Sequence, residues 1–226
     1  ICYVNADIIL MNDLTEAVAK VSAQTSSFLM TAQRWNLDIE NRLDFGVGWQ
    51  ANLLQDLWSR GHLNHYTGID FWVYQKELLS GMPPLAVGRI AFDSWCLYKA
   101  RAMGADLIDA TQMVVSVHQN HDYSHHPDGE IGIGTGIEAQ RNRELVGGKP
   151  YFFIIKDRTH ILTQNGLKAS RDAWRVWRFI RTSQVLDITF PKPVKAIVQT
   201  LNYVIDITRD SLILAKRAFK SVKMQI

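Results

Sequence analysis

The chain has 226 residues, of which 47% are hydrophobic, 10% aromatic and 21% charged, with a formal net charge of +3 at pH 7. A chain of this size and composition can bury a sizeable core, which excludes a disordered protein and indicates one domain, or one domain with a helical extension. Its two cysteines are too few for a disulfide framework, and no secretory leader or membrane-spanning apolar run is present, so we expect a soluble, cytoplasmic protein.

The first part of the chain predicts an alternation of strands and helices. An apolar run at residues 1–4 indicates a buried strand that ends at Asn5-Ala6-Asp7. Polar capping residues predict a helix over residues 14–22, and a second β-like run follows at residues 27–32. Strand, helix, strand is typical of an α/β fold. Because a buried strand needs neighbours on both sides and the chain starts at Ile1, we expect a sheet that is incomplete on its N-terminal side.

The middle of the chain continues this alternation and leads to a histidine cluster. The predicted elements are helices at residues 49–59, 91–100 and 138–145 and strands at residues 69–74, 107–111 and 114–117. Four of the seven histidines then lie within residues 118–126. They follow a strand exit, which is where α/β folds place ligands. The glycines of residues 132–136 lack the G-x-G-x-x-G spacing of a dinucleotide-binding loop.

The C-terminal third differs from the rest in charge. Residues 1–155 carry 11 basic and 17 acidic side chains, whereas residues 156–226 carry 14 and 5. A helix with three arginines on one face is predicted over residues 170–178, and the last thirty residues are amphipathic. The basic residues near the chain end are Lys216, Arg217, Lys220 and Lys223. A solvated helix face explains such a basic end, and contact with phosphate groups is the alternative.

Carboxylate and imidazole groups stand at opposite ends of the α/β region. Asp7 closes the first predicted strand, and His118 and His121 follow more than 100 positions later. Neutral imidazole and carboxylate groups hold divalent cations, so we expect a metal site between these distant segments. His118 is the favoured histidine ligand and His121 the next, because one strand exit aims only one or two side chains at a common point. His125 and His126 are expected at the surface.

Four short motifs follow one another in the order of a known family. They read Tyr3-Val4-Asn5-Ala6-Asp7, Gly68-Ile69-Asp70-Phe71-Trp72-Val73, Phe92-Asp93-Ser94-Trp95 and His118-Gln119-Asn120-His121-Asp122-Tyr123. Their order and spacing resemble the GT-A-fold glycosyltransferases, in particular a bacterial and plant type with Y-V-N-A-D and H-Q-N-H-D-Y motifs. The resemblance implies an N-terminally truncated, GT-A-like (Rossmann-like) mixed sheet flanked by helices in residues 1–150. Residues 151–226 are then expected to form a mainly helical basic extension.

The resemblance implies transfer of a sugar from a nucleotide diphosphate sugar to a carbohydrate or other acceptor hydroxyl, with inversion. Mn²⁺ or Mg²⁺ would stabilise the charge of the departing diphosphate as a Lewis acid. The metal ligands that it implies are Asp7, Asn5, His118 and His121. Asn5 departs from the family, because it stands where the first acid of the usual Asp-x-Asp motif would be, although an amide oxygen can still ligate a hard cation.

The same resemblance suggests roles for several other residues. Asp93 resembles the general base of inverting members, and its alternative role is that of an ordinary acid in the first turn of a helix. Asp70 resembles a sugar contact, whereas by itself it would cap a turn. Arg34 and Trp35 are expected to contact diphosphate or a ring, or else to be a snorkelling arginine and a core tryptophan. Trp95 is expected to stack on sugar or to lie in the core.

Two other functions stay open on the sequence alone. A metal-dependent hydrolase would use the histidine cluster to activate water, although the scarcity of further acids around His118 favours transfer. A non-catalytic remnant would bind membrane phosphates peripherally through the basic C-terminal region. No nucleic-acid partner is expected.

Overall fold

The computed structural model describes residues 1–122 and 129–204. The chain divides into two compact units, Ile1–Val176 and a second unit that begins at Trp177. Open mixed sheets flanked by helices make the protein an α/β protein compatible with a Rossmann-like fold, which confirms the predicted fold class at this level. Among the described residues, no helix combines the length and apolar character that crossing a bilayer would require.

The secondary structure contains all the strands and helices predicted between residues 14 and 178, together with further strands and a short helix that were not predicted. The strands are β1 Cys2–Val4, β2 Ile8–Ile9, β3 Phe28–Thr31, β4 Arg34–Leu37, β5 His62–Leu63, β6 Phe71–Tyr74, β7 Asp106–Asp109, β8 Ser116–Gln119, β9 His160–Thr163 and β10 Gly166–Ala169. The helices are α1 Asp13–Ser22, α2 Trp49–Arg60, α3 Phe92–Ala102, α4 Gly129–Thr135, α5 Ile137–Val146 and α6 Ala173–Thr182. Short 3-10 helices occupy Lys149–Tyr151 and Ile155–Asp157. A further helix runs over residues 192–204.

The larger sheet has six strands in the order β1-β6-β3-β7-β9-β10. Strands β3, β7 and β9 are parallel to one another, and the remaining pairings are antiparallel. All four residues of β3 are buried, as expected for a central strand covered on both faces. Phe28 and Met30 pack with Ala17 and Val21 of α1. Strands β9 and β10 join this sheet, although they lie within the predicted C-terminal extension.

The first strand departs from its prediction. Strand β1 lies at an edge of the six-stranded sheet, pairs with β6 alone among the described strands, and exposes Cys2 and Val4. The expectation of a fully buried strand is therefore wrong. Side chains alternate between the two faces of a strand, so Tyr3 alone packs inward, with its ring centroid 4.6 Å from that of Trp72 and 5.6 Å from that of Phe92.

The smaller sheet has four strands in the order β2-β8-β4-β5, with β4 and β8 parallel and the other pairs antiparallel. One face packs on α2 through an apolar cluster that includes Trp35, Leu37, Leu53, Leu57 and Val117. Because successive side chains of a strand point to opposite faces, the other face carries the polar residues of β4 and β8. These residues are Arg34, Asn36, Ser116 and His118.

The second unit contains the helix of residues 192–204. Within this unit, Asn202 Nδ2 donates a hydrogen bond of 3.4 Å to the backbone oxygen of Ile180. The ring centroids of Phe179 and Phe190 lie 5.9 Å apart. The basic residues predicted near the chain end, from Lys216 to Lys223, lie outside the described residues.

Candidate functional site

A cavity of about 910 Å³ lies in the first unit. This volume is within the roughly 300–1,000 Å³ typical of small-molecule sites. Its polar lining consists of Tyr3, Asn5, Asp7, Arg34, Asp70, Arg89, Asp93, His118, Gln119 and His121. The lining combines the turn after β1, the polar face of β4 and β8, the start of α3 and the segment 87–90, so the cavity depends on residues from both sheets.

Strand pairing brings the predicted metal ligands together. In the register of β2 with β8, Ile8 lies opposite His118, which places Asp7 beside the histidines. Asp7 Oδ2 is 3.3 Å from His118 Nε2 and 3.1 Å from His121 Nε2. The candidate ligand atoms of Asp7, His118 and His121 all lie within 4.8 Å of one another. The predicted convergence of an early carboxylate and a distant imidazole is thus present in the structure.

Two of the distances between candidate ligand atoms in this cluster suit a bound cation. Ligand atoms bind such metals at about 2.1 Å. Two of them therefore lie roughly 3.0 Å apart when the ligand–metal–ligand angle is octahedral and roughly 3.4 Å apart when it is tetrahedral. The observed separations of 3.1 and 3.3 Å between Asp7 Oδ2 and the two Nε2 atoms match that spacing. Among the described residues, Asp7 Oδ1 and His118 Nδ1 are buried without a hydrogen-bond partner. Imidazole and carboxylate donors suit several divalent metals, so the donor set does not select one of them.

The hydrogen bonds of the cluster favour its charged forms. The hydrogen bond from His118 is the main reason that the pKa of Asp7 is lowered to about 2, although burial acts in the opposite direction. The pKa of His121 is raised, first by its hydrogen bond to the backbone oxygen of Asp122 and then by Asp7. Asp7 is therefore anionic throughout the physiological pH range and is suited to bind a cation.

A second polar network lies beside the cluster. Asn5 Nδ2 donates to Asp70 Oδ1 over 2.8 Å, and Arg34 Nη1 donates to Asp70 Oδ2 over 3.0 Å. The amide oxygen of Asn5, which was expected to ligate the cation, accepts a hydrogen bond of 3.0 Å from the Tyr3 hydroxyl. Asn5 and Asp70 therefore line the cavity as predicted residues, but Asn5 uses its amide to orient Asp70.

Asp93 places a carboxyl with an unusually high pKa in the cavity. It lies in the first turn of α3, where its pKa is raised to about 8, mainly because burial disfavours the charged form. The negative charge of Asp70 adds to this rise and the guanidinium of Arg34 opposes it. A carboxyl that exchanges its proton near neutral pH is suited to acid–base chemistry.

The two tryptophans predicted as substrate contacts do not line the cavity. Trp95 is only 6% exposed and lies in the core, because two residues along a helix correspond to a rotation of about 200° away from Asp93. Trp35 lies on the opposite face of β4 from Arg34, and its ring centroid is 4.8 Å from that of Trp58. Both tryptophans therefore pack against other side chains, which is the alternative to substrate contact that the sequence left open.

The segment of residues 87–90, which forms one wall of the cavity, was not predicted from the sequence. Asn142 of α5, which is fully buried, holds this wall by donating to the backbone oxygens of Ala86 and Ile90 over 2.9 and 3.2 Å. The Asn142 side-chain oxygen also accepts the Ala86 backbone N–H over 2.8 Å. Arg89 lines the cavity and donates to Glu138 over 2.7 Å. The sequence contained one indication of this wall. Glu138 and Asn142 are four residues apart, which places both side chains on the same face of the predicted helix.

The fold and the cavity define a mixed α/β protein with an aspartate–histidine cluster whose spacing suits a divalent cation. Comparison of the chain with protein-family models, with curated proteins and with solved structures gave no match. The chemistry of the cavity is therefore the basis for assigning a function. His125 and His126, predicted at the surface, lie outside the described residues.

Proposed function

We propose that the protein is a metal-dependent, inverting glycosyltransferase of GT-A type, which transfers a sugar from a nucleotide diphosphate sugar to an acceptor hydroxyl. One observation carries the proposal: a single cavity holds the Asp7–His118–His121 cluster and a carboxyl, Asp93, with a pKa of about 8. Sugar transfer needs charge stabilisation at the leaving group and a base at the acceptor. The motif resemblance supports the same assignment.

The leaving-group side of the reaction is assigned to the cluster and to two arginines. Asp7, His118 and His121 would hold Mn²⁺ or Mg²⁺, which supplies Lewis-acid stabilisation of diphosphate oxygens when bound. Arg34 and Arg89 also line the cavity, with side chains that are 18% and 20% exposed. Guanidinium groups match the geometry of phosphate oxygens and keep their charge at any physiological pH, so both are suited to bind the donor.

The acceptor side is assigned to Asp93. Its ionised carboxylate takes the proton of the acceptor hydroxyl while that oxygen forms a bond to the anomeric carbon of the donor. The bond from this carbon to the diphosphate oxygen breaks with its electron pair, and attack from the opposite face inverts the configuration. Asp70, held through both of its carboxylate oxygens by Asn5 and Arg34, offers fixed acceptors for sugar hydroxyls.

Calorimetric titration with nucleoside diphosphates, each with and without Mn²⁺, tests the donor site. We expect Mn²⁺-dependent binding that is lost in D7A and retained in D93N. Transfer to an acceptor should fall at least about 100-fold in D93N, since a general base contributes roughly 10²–10⁴-fold. Failure of every nucleoside diphosphate to bind in the presence of Mn²⁺ would contradict the proposal, and release of free sugar without an acceptor would identify a hydrolase instead.

A second role, peripheral contact with an anionic membrane, is favoured by the helix of residues 192–204. Val194, Ile197 and Leu201 share one helix face and are 40%, 59% and 42% exposed. Lys192 and Lys195 stand in the first turn of the same helix. Exposed apolar residues next to lysines are typical of helices that lie on anionic lipid.

Co-sedimentation with vesicles tests this membrane role. We expect binding to vesicles that contain phosphatidylserine and little binding to pure phosphatidylcholine. Replacement of Lys216, Arg217, Lys220 and Lys223 by glutamine should weaken the binding, whereas D93N should leave it unchanged. Equal sedimentation with both kinds of vesicle would count against recognition of anionic lipid.

A further inference from the structure

One wall of the cavity, the segment of residues 87–90, carries exposed apolar side chains. Val87 and Ile90 line the cavity and are 57% and 40% exposed. Val4 of β1 lines the same cavity and is 41% exposed. Single apolar residues scattered over a surface are normal, but several in one concave site leave apolar surface that a ligand can cover. Covering it removes this surface from water, which favours binding.

The backbone of this wall is held in place from behind. The fully buried Asn142 donates to the backbone oxygens of Ala86 and Ile90 over 2.9 and 3.2 Å and accepts the Ala86 N–H over 2.8 Å. The charge of Arg89 is matched by Glu138, at 2.7 Å. The apolar side chains of the wall are therefore presented to the cavity by a fixed backbone, and no uncompensated charge stands between them.

The wall leads directly to the carboxyl that is assigned as the base. Ile90 is three residues before Asp93, and the backbone N–H of Phe92 donates to the Arg89 oxygen over 3.3 Å at the start of α3. Asp93 lines the same cavity. Three residues of chain span at most about 11 Å. A molecule whose hydroxyl reaches Asp93 therefore places the atoms next to that hydroxyl close to the apolar wall.

The described part of the lining offers little for stacking a sugar ring. The C–H face of a pyranose packs well on the flat face of an aromatic side chain. Among the described residues, Tyr3 is the one phenylalanine, tyrosine or tryptophan that lines the cavity. Its ring already packs with those of Trp72 and Phe92. Flexible aliphatic side chains on the wall are instead suited to an aliphatic partner.

We propose that the acceptor is an alcohol with an aliphatic body, which packs on Val87 and Ile90 while its hydroxyl reaches Asp93. The inference rests on the proposed function, because Asp93 meets an acceptor hydroxyl only if the protein transfers a sugar. Each methylene that the wall buries adds to the binding free energy, so the affinity rises with the length of the alkyl chain. A carbohydrate acceptor would leave the two side chains against polar groups and gain no such increment.

Titration with n-butanol, n-hexanol and n-octanol, followed by the δ1-methyl NMR signal of Ile90, measures binding at the wall. This signal is identified by its absence from the double variant V87N/I90N. We expect the dissociation constant to fall about two- to fourfold for each added methylene. Maltose at the same concentration should leave the Ile90 signal in place.

Equilibrium dialysis with labelled octanol compares the variants. V87N/I90N changes two exposed side chains and leaves the backbone bonds to Asn142 in place, so its circular dichroism should match that of the wild type. We expect it to bind octanol at least about tenfold more weakly. V47N/I137N makes the same chemical changes at exposed positions outside the cavity lining and should bind like the wild type.

Two results would overturn the proposal. One is wild-type affinity for octanol in V87N/I90N, and the other is an Ile90 signal that moves with maltose and not with octanol. With either result, binding of nucleoside diphosphates in the presence of Mn²⁺ would leave the proposed function standing with another kind of acceptor. Absence of that nucleotide binding would instead remove the proposed function, and the acceptor assignment with it.

Discussion

Asp93 has a carboxyl that holds its proton far more tightly in the folded protein than in the unfolded chain. Burial raises its pKa to about 8, with Asp70 adding to the rise and Arg34 opposing it, whereas an unfolded aspartate has a pKa of about 3.9. A raised pKa in the folded state contributes stability that is fully present below the unfolded pKa. That contribution is lost as the pH rises from about 4 through about 8.

We therefore expect the free energy of unfolding of D93N to depend less on pH than that of the wild type. The amide cannot ionise, so the stability of D93N relative to wild type should increase by roughly 4 kcal/mol between pH 5 and pH 9 if the folded pKa is about 8. Urea unfolding at several pH values measures this difference. D56N, which changes an exposed carboxylate paired with Arg60, is the control. Parallel pH profiles for D93N and the wild type would contradict a raised pKa for Asp93.

Residue types in the motifs predicted much of the site but could not separate neighbours. Arg34 and Trp35 were predicted together as substrate contacts, and Trp95 was a candidate sugar contact two residues after Asp93, the predicted general base. Arg34 and Trp35 point to different environments because a strand directs consecutive side chains to opposite faces. Asp93 and Trp95 do so because two residues along a helix are about 200° apart. In each pair the polar residue reaches the cavity and the tryptophan packs elsewhere.

At the scale of elements, helix α5 positions a wall of the cavity through one buried side chain. Asn142 makes three hydrogen bonds to backbone groups of residues 86–90. We expect N142L to lower the free energy of unfolding by roughly 2–4 kcal/mol, because backbone groups lose their partners and a leucine must fit into the same space. Chemical unfolding measures this loss. With N41L as an exposed control, a loss no larger than that of the control would show that Asn142 does not hold the wall.

The junction between α2 and β5 requires a residue without a side chain. A Cβ atom at Gly61 would lie 2.6 Å from Leu57 Cδ1 and 2.7 Å from the Leu57 backbone oxygen. Since the backbone oxygen cannot move without disturbing the helix end, we expect G61A to lower the free energy of unfolding by about 1–3 kcal/mol.

The matched control for this substitution is G134A. Gly134 lies in α4 with no heavy atom within 4 Å of an added Cβ, so alanine there should stabilise by about 0.5–1 kcal/mol. Thermal or urea unfolding of both variants provides the comparison. Similar effects for G61A and G134A would show that the close approach at Gly61 carries no energetic consequence.

Helices were predictable from sequence because several turns of periodic apolar residues give a strong local pattern. Strands β2 and β5 have two residues each and show no period, and their pairing depends on partners far along the chain. The exposure of β1 was mispredicted for a related reason. An apolar run has the same composition at an edge and at the centre of a sheet, so only its neighbours decide its burial.

For the whole molecule, the Asp7–His118–His121 cluster joins segments that are 114 residues apart in sequence, as in the contact of Asp7 with His121. An unfolded chain does not assemble these ligands, so a cation that binds them stabilises the fold. At a Mn²⁺ concentration of 100 times the dissociation constant, we expect a gain of about 2.7 kcal/mol in the free energy of unfolding. Chelation with EDTA should reverse this gain.

Thermal unfolding with increasing Mn²⁺ measures this effect. The double variant H118N/H121N removes both imidazoles and should show no Mn²⁺-dependent rise in its unfolding temperature. A variant with substitutions away from the cluster, such as N41L, should respond like the wild type. An equal response of H118N/H121N and the wild type would place Mn²⁺ binding at another part of the molecule.

The sequence by itself determined the α/β class, the main helices and the presence of Asp7 and His118 at segment ends, because these depend on local periodicity and residue type. Only the tertiary structure decided how those residues are arranged. Strand register places Asp7 within 3.3 Å of His118. Burial raises the pKa of Asp93. Distances and desolvation depend on contacts between remote segments, and no local pattern in the chain specifies them.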